Sequence, residues 1–318
     1  MTPASKRLAA LALGAALAIA ACTSGSTPTP SPAASPSPAA SPSPSSAAAS
    51  PSAEASMAEP SNNPTCNTGS ITAGGSTALQ PLVDAAGKAY GQACSGATIS
   101  VQGGGSGTGL TQVAAGAFQI GDSDVTAESK LDATTAATLV DHVFAKQGWI
   151  MVNNPDVTGV TNLTTQQAQD IWTGKVTNWK DVGGPDQAIV LIIRPESSGT
   201  RATFKKIVLN GMDEASGQAL TEDSNGAVSQ AVEQTPGATS VIGFAYYQAN
   251  KAGLTGLQLD GVDATVDNMA SGAYKLNADG HAYTKGEATG LTKDFLDYLF
   301  SDYVQHVLIP SLSYAPVK

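Results

Sequence analysis

Apolar and polar positions follow one another in three different ways along this chain. Residues 8–21 are an unbroken apolar run, residues 23–65 hold almost no large apolar side chain, and from residue 70 short apolar runs recur at regular spacing. Ile71 to Gly74 reads as a strand, after which Leu79, Leu82, Val83, Ala86 and Tyr90 recur at helical spacing. Pro81 fits the first turn of that helix, where no backbone N–H is required. Ile99 and Val101 mark a second strand, and Leu110, Val113, Ala114 and Ala117 a second helix. Further strands are expected over 118–123, 148–152 and 241–247, and over 188–193, which is continuously apolar as in a strand buried on both faces. Thr164-x-x-Gln167 has the form of a capping box and opens a helix with Ala168, Ile171 and Trp172 inward. Phe204, Ile207 and Val208 form another helical stripe. Phe295, Leu296, Leu299, Phe300, Tyr303 and Val307 give the clearest amphipathic helix. The alternation predicts an α/β chain with parallel strands and right-handed crossovers. Ligands in such sheets sit beyond the C-terminal ends of strands.

The N-terminal zones set the compartment. Lys6 and Arg7 precede the 8–21 run, which is too short to span a bilayer and reads with them as a secretory signal over 1–21. Leu17-Ala18-Ile19-Ala20-Ala21-Cys22 resembles the lipobox of bacterial lipoproteins, which implies cleavage before Cys22 and lipid on its sulfur. Residues 22–66, mostly Ser, Pro, Ala and Thr, cannot bury enough area to offset ordering entropy, so they read as a tether. At roughly 3.1 Å per residue its upper reach is on the order of 130 Å. The chain is therefore expected outside the cytoplasm, lipid-anchored at the outer face of the cytoplasmic membrane or in the periplasm.

The formal charge is −10 and falls by two more with the loss of Lys6 and Arg7, which argues against a nucleic-acid partner. It does not exclude a small anion, because a buried anion site works through local donors. With Cys22 given to lipid, Cys66 and Cys94 remain as a pair in an oxidising compartment. Each lies just before a predicted strand, so a bridge joins two strand beginnings if those strands are parallel neighbours. No Cys-x-x-Cys spacing and no His/Asp cluster with metal-ligand spacing occurs, so neither a metal nor a cofactor is expected.

Four turns at predicted strand ends carry one kind of chemistry: Gly74-Gly75-Ser76-Thr77-Ala78, the glycine-rich 103–109 with Ser106, Gly121-Asp122-Ser123-Asp124, and Arg194-Pro195-Glu196-Ser197-Ser198-Gly199-Thr200. Three of them supply hydroxyls and free backbone N–H groups at a helix N-terminus, the usual way to hold an oxyanion. Arg194 adds a planar fork of donors. A carboxylate among them makes sense if the anion carries a proton, as phosphate does near neutrality and sulfate does not. Asp124 is the candidate acceptor and Asp122 its rival. Glu196 is read either as a partner that orients Arg194 or as a solvated loop acid.

The spacing of Gly75-Ser76-Thr77, Gly105-Ser106, Ser123-Asp124 and Arg194-x-x-x-Ser198-Gly199-Thr200 resembles the phosphate-binding proteins of bacterial ABC importers. The likeness continues through Ile171-Trp172-Thr173-Gly174, Thr177-Asn178-Trp179, Val241-Ile242-Gly243-Phe244 and Phe295-Leu296-Asp297-Tyr298-Leu299. Gly107-Thr108 and Thr126 depart from the family pattern, where Ser-Gly and Pro are frequent. The resemblance implies a two-lobed periplasmic-binding-protein-like (type II) fold with a two-strand hinge. Its lobes would be 67–147 plus 250–318, and 148–249, crossing near 148–152 and 243–247. It implies phosphate contacts from Ser76, Thr77, Ala78, Ser106, Asp124, Arg194, Ser198, Gly199 and Thr200, and membrane permease subunits as partners of a monomer that is not an enzyme. Another oxyanion, such as sulfate, molybdate or tungstate, is the alternative ligand. A surface hydrolase is the more distant reading, since Gly-x-Ser-x-Gly is absent and His142, His281 and His306 sit at no predicted strand-end turn.

Overall fold

The computed structural model describes residues 62–215 and 219–317. The expected signal, the Cys22 anchor and most of the tether lie outside the described residues. In chain order the strands are β1 (Gly69–Gly75), β2 (Ala97–Gln102), β3 (Ile120–Ser123), β4 (Leu139–Asn153), β5 (Asn162–Leu163), β6 (Val190–Ile193), β7 (Ala219–Thr221), β8 (Ala238–Gly243), β9 (Thr255–Gly256), β10 (Gln258–Leu259) and β11 (Asn277–Lys285). The helices are α1 (Gln80–Ala93), α2 (Ser106–Ala114), α3 (Ala133–Ala136), α4 (Thr165–Trp172), α5 (Gly199–Ile207), α6 (Asn225–Gln234), α7 (Phe244–Ala249), α8 (Val266–Ala270), α9 (Gly290–Leu299) and α10 (Ile309–Ser311). No helix among the described residues is long and apolar enough to cross a membrane.

One sheet runs β2-β1-β3-β11-β4-β8-β6-β7, with β9 added beside β4; β5 and β10 pair separately. The 15-residue β4 unites its two halves, pairing β11 from Leu139 to Gly148 and β8 from Trp149 to Asn153. Each half has its own core. Leu79, Leu82, Tyr90, Phe144, Phe295 and Leu299 fill the first, and Trp149, Trp172, Trp179, Phe204, Val228 and Ile242 the second. The capping box at Thr164 forms as expected, with Thr164 Oγ1 accepting from Gln167 N. At the first helix, Pro81 occupies the first turn, where its missing N–H costs nothing.

Four features depart from the sequence expectation. The sheet is mixed, because β11 is antiparallel to both β3 and β4. The β11 sequence, NADGHAYTK, offers no apolar run to mark it as a strand. The strand expected over 241–247 stops at Gly243, where Phe244 begins α7, whose Phe244 and Ala245 are buried. Finally, Leu254, Leu257, Leu259, Met269, Tyr274 and Leu276 pack into the second core, although the sequence reading gives 250–276 to the first lobe. The strand beside β4 where the chain leaves one core for the other is β11, with Asn277 opposite Gly148. The single long amphipathic helix expected near the C-terminus also breaks after Leu299, resuming as a π-turn over Val304–Leu308.

β1 and β2 are parallel neighbours, with Gly69 opposite Ala97, which brings the residues before them together. Cys66 and Cys94 are joined there by a disulfide with Cα atoms 5.3 Å apart. It closes a loop of sequence separation 28 at the edge of the first core. Replacing both cysteines with alanine is expected to lower unfolding free energy by about 3 kcal/mol, read from urea denaturation.

Candidate functional site

The sheet geometry brings the four turns to one place. β1 ends at Gly75, β3 at Ser123 and β6 at Ile193, each followed by one of the polar turns; the glycine turn after β2 leads into α2. Asp124 is 3% exposed, and its Oδ1 accepts from Ser76 Oγ and, at 2.9 Å, from Gln147 Nε2 on β4. Its own N–H donates to Ser106 Oγ at 2.9 Å. No hydrogen bond among the described residues reaches Asp124 Oδ2. Gly199, the first residue of α5, closes over this pair. A Cβ there would lie 2.1 Å from Ser106 Oγ and 2.7 Å from Asp124 Oδ2, so only glycine fits. The turn after β2 touches the turn after β6 directly, with Gly107 N donating to Ser197 O at 2.8 Å.

Arg194 is also 3% exposed. Its Nη2 donates to Thr77 Oγ1 at 3.2 Å and to Asp223 O at 2.8 Å, while Nε and Nη1 are buried without a partner. Burial lowers its pKa, and the nearby Asp124 opposes that shift. The guanidinium and the carboxylate feel each other's charge without meeting as an ion pair among the described residues. Burial pushes the Asp124 pKa up; hydrogen bonds from Ser76 and Gln147, then the charges of Arg194 and His281, pull it back.

The hydroxyls share one orientation. Thr77 Oγ1 accepts from Arg194 and from Asn225 Nδ2, Ser106 Oγ from Asp124 N, Ser198 Oγ from Arg201 N, and Thr200 Oγ1 from Trp149 Nε1. None of the four finds an acceptor for its own proton among the described residues. A hydroxyl that accepts from the protein still has its proton to donate. The first-turn N–H groups of Gly199 and Thr200 likewise have no intrahelical acceptor. The site therefore offers an array of donors and one free carboxylate oxygen, which suits a tetrahedral oxyanion that carries a proton.

All nine sequence-predicted ligand residues gather here, with two changes of role. Ser76 spends its hydroxyl on Asp124, and the Ala78 N–H, expected to face the ligand, turns to Ser76 Oγ at 3.1 Å. Glu196 does not orient Arg194; it is 88% exposed and pairs with Arg201 at 2.7 Å. Sequence reasoning missed Gln147, Trp149 and Asn225 as members of the site. Asn225, at the start of α6, donates to Thr77 O at 2.8 Å and accepts from Gly243 N at 3.0 Å. The Asp223-Ser224-Asn225-Gly226 run is a helix-start signal that could have found it.

Asp122, the rival acceptor, is buried on β3 beneath the site and its Oδ1 has no partner. Burial, helped by the neighbouring Asp124 charge, pushes its pKa up to about 8. It is therefore a neutral acid at pH 7 and not the charged acceptor.

The chain matches the model of the PBP superfamily domain over residues 60–303. It is 48% identical over 250 residues to the phosphate-binding protein PstS of Bacillus subtilis, covering 79% of this chain and 81% of that protein. A solved Clostridium perfringens protein with bound phosphate, assigned as a phosphate ABC transporter substrate-binding protein, is 28% identical. It superposes with a TM-score of 0.71 over 79% of this chain and all of its own. An ABC-type phosphate transport receptor from Vibrio cholerae is 29% identical with a TM-score of 0.62, over 77% of this chain and 99% of its own.

The Asp122 carboxyl generates a stability prediction. The folded protein holds a proton that the unfolded chain gives up near the ordinary value of 3.8. The stabilisation this brings is full below that value and is lost as pH rises to about 8. Asp122→Asn cannot ionise, so its stability advantage over wild type should grow between pH 5 and pH 8 by on the order of 3 kcal/mol, read from urea midpoints at the two pH values.

Proposed function

The chain belongs to the phosphate-binding proteins of phosphate ABC transporters, within the PBP superfamily, and on that premise we propose that it captures inorganic phosphate outside the cytoplasm and delivers it to an ABC permease. The observation that carries the reading is the division of hydrogen-bond roles within one buried cluster. Four hydroxyl protons, two guanidinium nitrogens and the first amides of α5 all need acceptors, and one carboxylate oxygen needs a donor. Monohydrogen phosphate supplies both, since its bare oxygens accept and its P–O–H donates to Asp124 Oδ2. Sulfate fills the donors equally well but leaves Asp124 facing an oxygen with no proton. Such a contact costs several kcal/mol in a buried site.

In this reading Thr77, Ser106, Ser198, Gly199, Thr200 and Arg194 donate to the ion, Asp124 accepts, and Ser76 with Gln147 orients the carboxylate. The two cores act as lobes that close on phosphate and part to release it, flexing where β4 and β11 run side by side. The protein works as a monomer, held at the membrane by lipid on Cys22 while the 22–66 tether gives it reach to the permease subunits. It is a receptor and not an enzyme, because no bond of the phosphate needs to break.

Isothermal titration of the wild type and two variants with phosphate and sulfate tests this. The wild type should bind phosphate far more tightly than sulfate. Arg194→Ala should weaken phosphate by about 100-fold or more, since it strands buried ligand charge. Asp124→Asn should weaken phosphate and narrow its lead over sulfate; an unchanged ratio would remove the carboxylate from the account.

A further inference from the structure

Lys130 reaches the Arg194–Thr200 turn from the opposite core. It follows the short 3-10 turn Ala127–Ser129, on the stretch that leaves β3 and Asp124. Its Nζ donates to the Glu196 carbonyl at 2.6 Å and approaches the Ser198 carbonyl at 3.5 Å. Between these, the Ser197 carbonyl accepts from Gly107 N at 2.8 Å. Three successive carbonyls of one turn thus face donors supplied by the other side of the site.

In a trans peptide the C=O of one residue and the N–H of the next lie in one plane and point in opposite directions. The Ser198 carbonyl already accepts from Ala202 N within α5 at 3.3 Å, so the helix itself sets that plane and opposes the Gly199 N–H to the carbonyl, while Lys130 Nζ stands 3.5 Å from the same oxygen. We propose that Lys130 is a positioning residue for phosphate: by gripping the Glu196 carbonyl it ties the turn that carries Ser198, Gly199 and Thr200 to the stretch that carries Asp124, and latches that turn when the site closes. The proposal rests on the phosphate reading above.

Electrostatic attraction of the incoming anion is the competing role. Lys130 borders a cleft of about 430 Å³ together with Glu196, Arg201, Lys205 and Lys206. Two details favour the latch. Both acceptors of Lys130 are main-chain carbonyls, and they belong to the turn that carries Ser198, Gly199 and Thr200. Long-range attraction would need no fixed acceptor. The roles also separate kinetically. Steering speeds association and fades with salt, whereas a contact made in the closed state slows dissociation.

Stopped-flow mixing of the intact protein with inorganic phosphate distinguishes them, following tryptophan fluorescence, since Trp149 donates to Thr200 within the site. Wild type, Lys130→Met and Lys130→Arg are compared at low and high salt, with unfolding midpoints measured without phosphate. Lys130→Met should release phosphate about tenfold faster at both salt concentrations, with association within about twofold and an unchanged midpoint. Lys130→Arg should restore most of the slow release. Unaltered dissociation in Lys130→Met, a defect confined to association and erased by salt, or a midpoint that falls as far as the binding does would each overturn the latch. A wild type that takes no phosphate would overturn the functional reading itself, and so tells the two failures apart.

Discussion

A buried guanidinium and a buried carboxylate feel each other's charge without forming an ion pair among the described residues, and the rest of the site is organised around the two. Arg194 and Asp124 are each 3% exposed, and two of the guanidinium nitrogens have no partner. Two such buried charges are costly unless a further group satisfies both. A third body that presents acceptors to one and a proton to the other removes the cost. In the proposed reading, selection of the ion and closure around it are the same event, because that body satisfies both groups at once.

The fold contributes position more than chemistry. Strand ends set the four turns, and the sheet fixes where those ends fall. Asp124 comes from the end of β3, Thr77 from the turn after β1, and Gln147 and Trp149 from the middle of β4. Because β4 runs through both halves of the sheet, it carries one residue that orients Asp124 and another that orients Thr200. Gly199 shows how closely the halves approach, since even a methyl group there would collide with Ser106 and Asp124.

Much of this was legible in the sequence wherever one residue type does one job. Glycines and hydroxyls before a helical stripe, and an arginine at the end of an apolar strand, report their chemistry locally, and the structure brings the nine residues named from the sequence to one place. The parts that escaped are relational. Strand β11 was invisible because its residues Asn277–Lys285 are largely polar and pair by backbone between two neighbours, with no apolar period. The packing of Leu254 to Leu276 into the second core depends on tertiary contacts that an order-of-elements reading does not carry. Asn225 and Gln147 act through partners 148 and 23 residues away, and no local pattern could announce those distances. Asp122 and Asp124 are alike in sequence and differ only in what surrounds them.

A crystal structure of the protein with phosphate tests the central claim most directly. An oxygen of the ion should lie at about 2.5–2.7 Å from Asp124 Oδ2, the length of a hydroxyl donating to a carboxylate, with Arg194 Nε and Nη1 donating to its other oxygens. An ion seated elsewhere, or one whose oxygens all stand beyond hydrogen-bond reach of Asp124, would contradict the account.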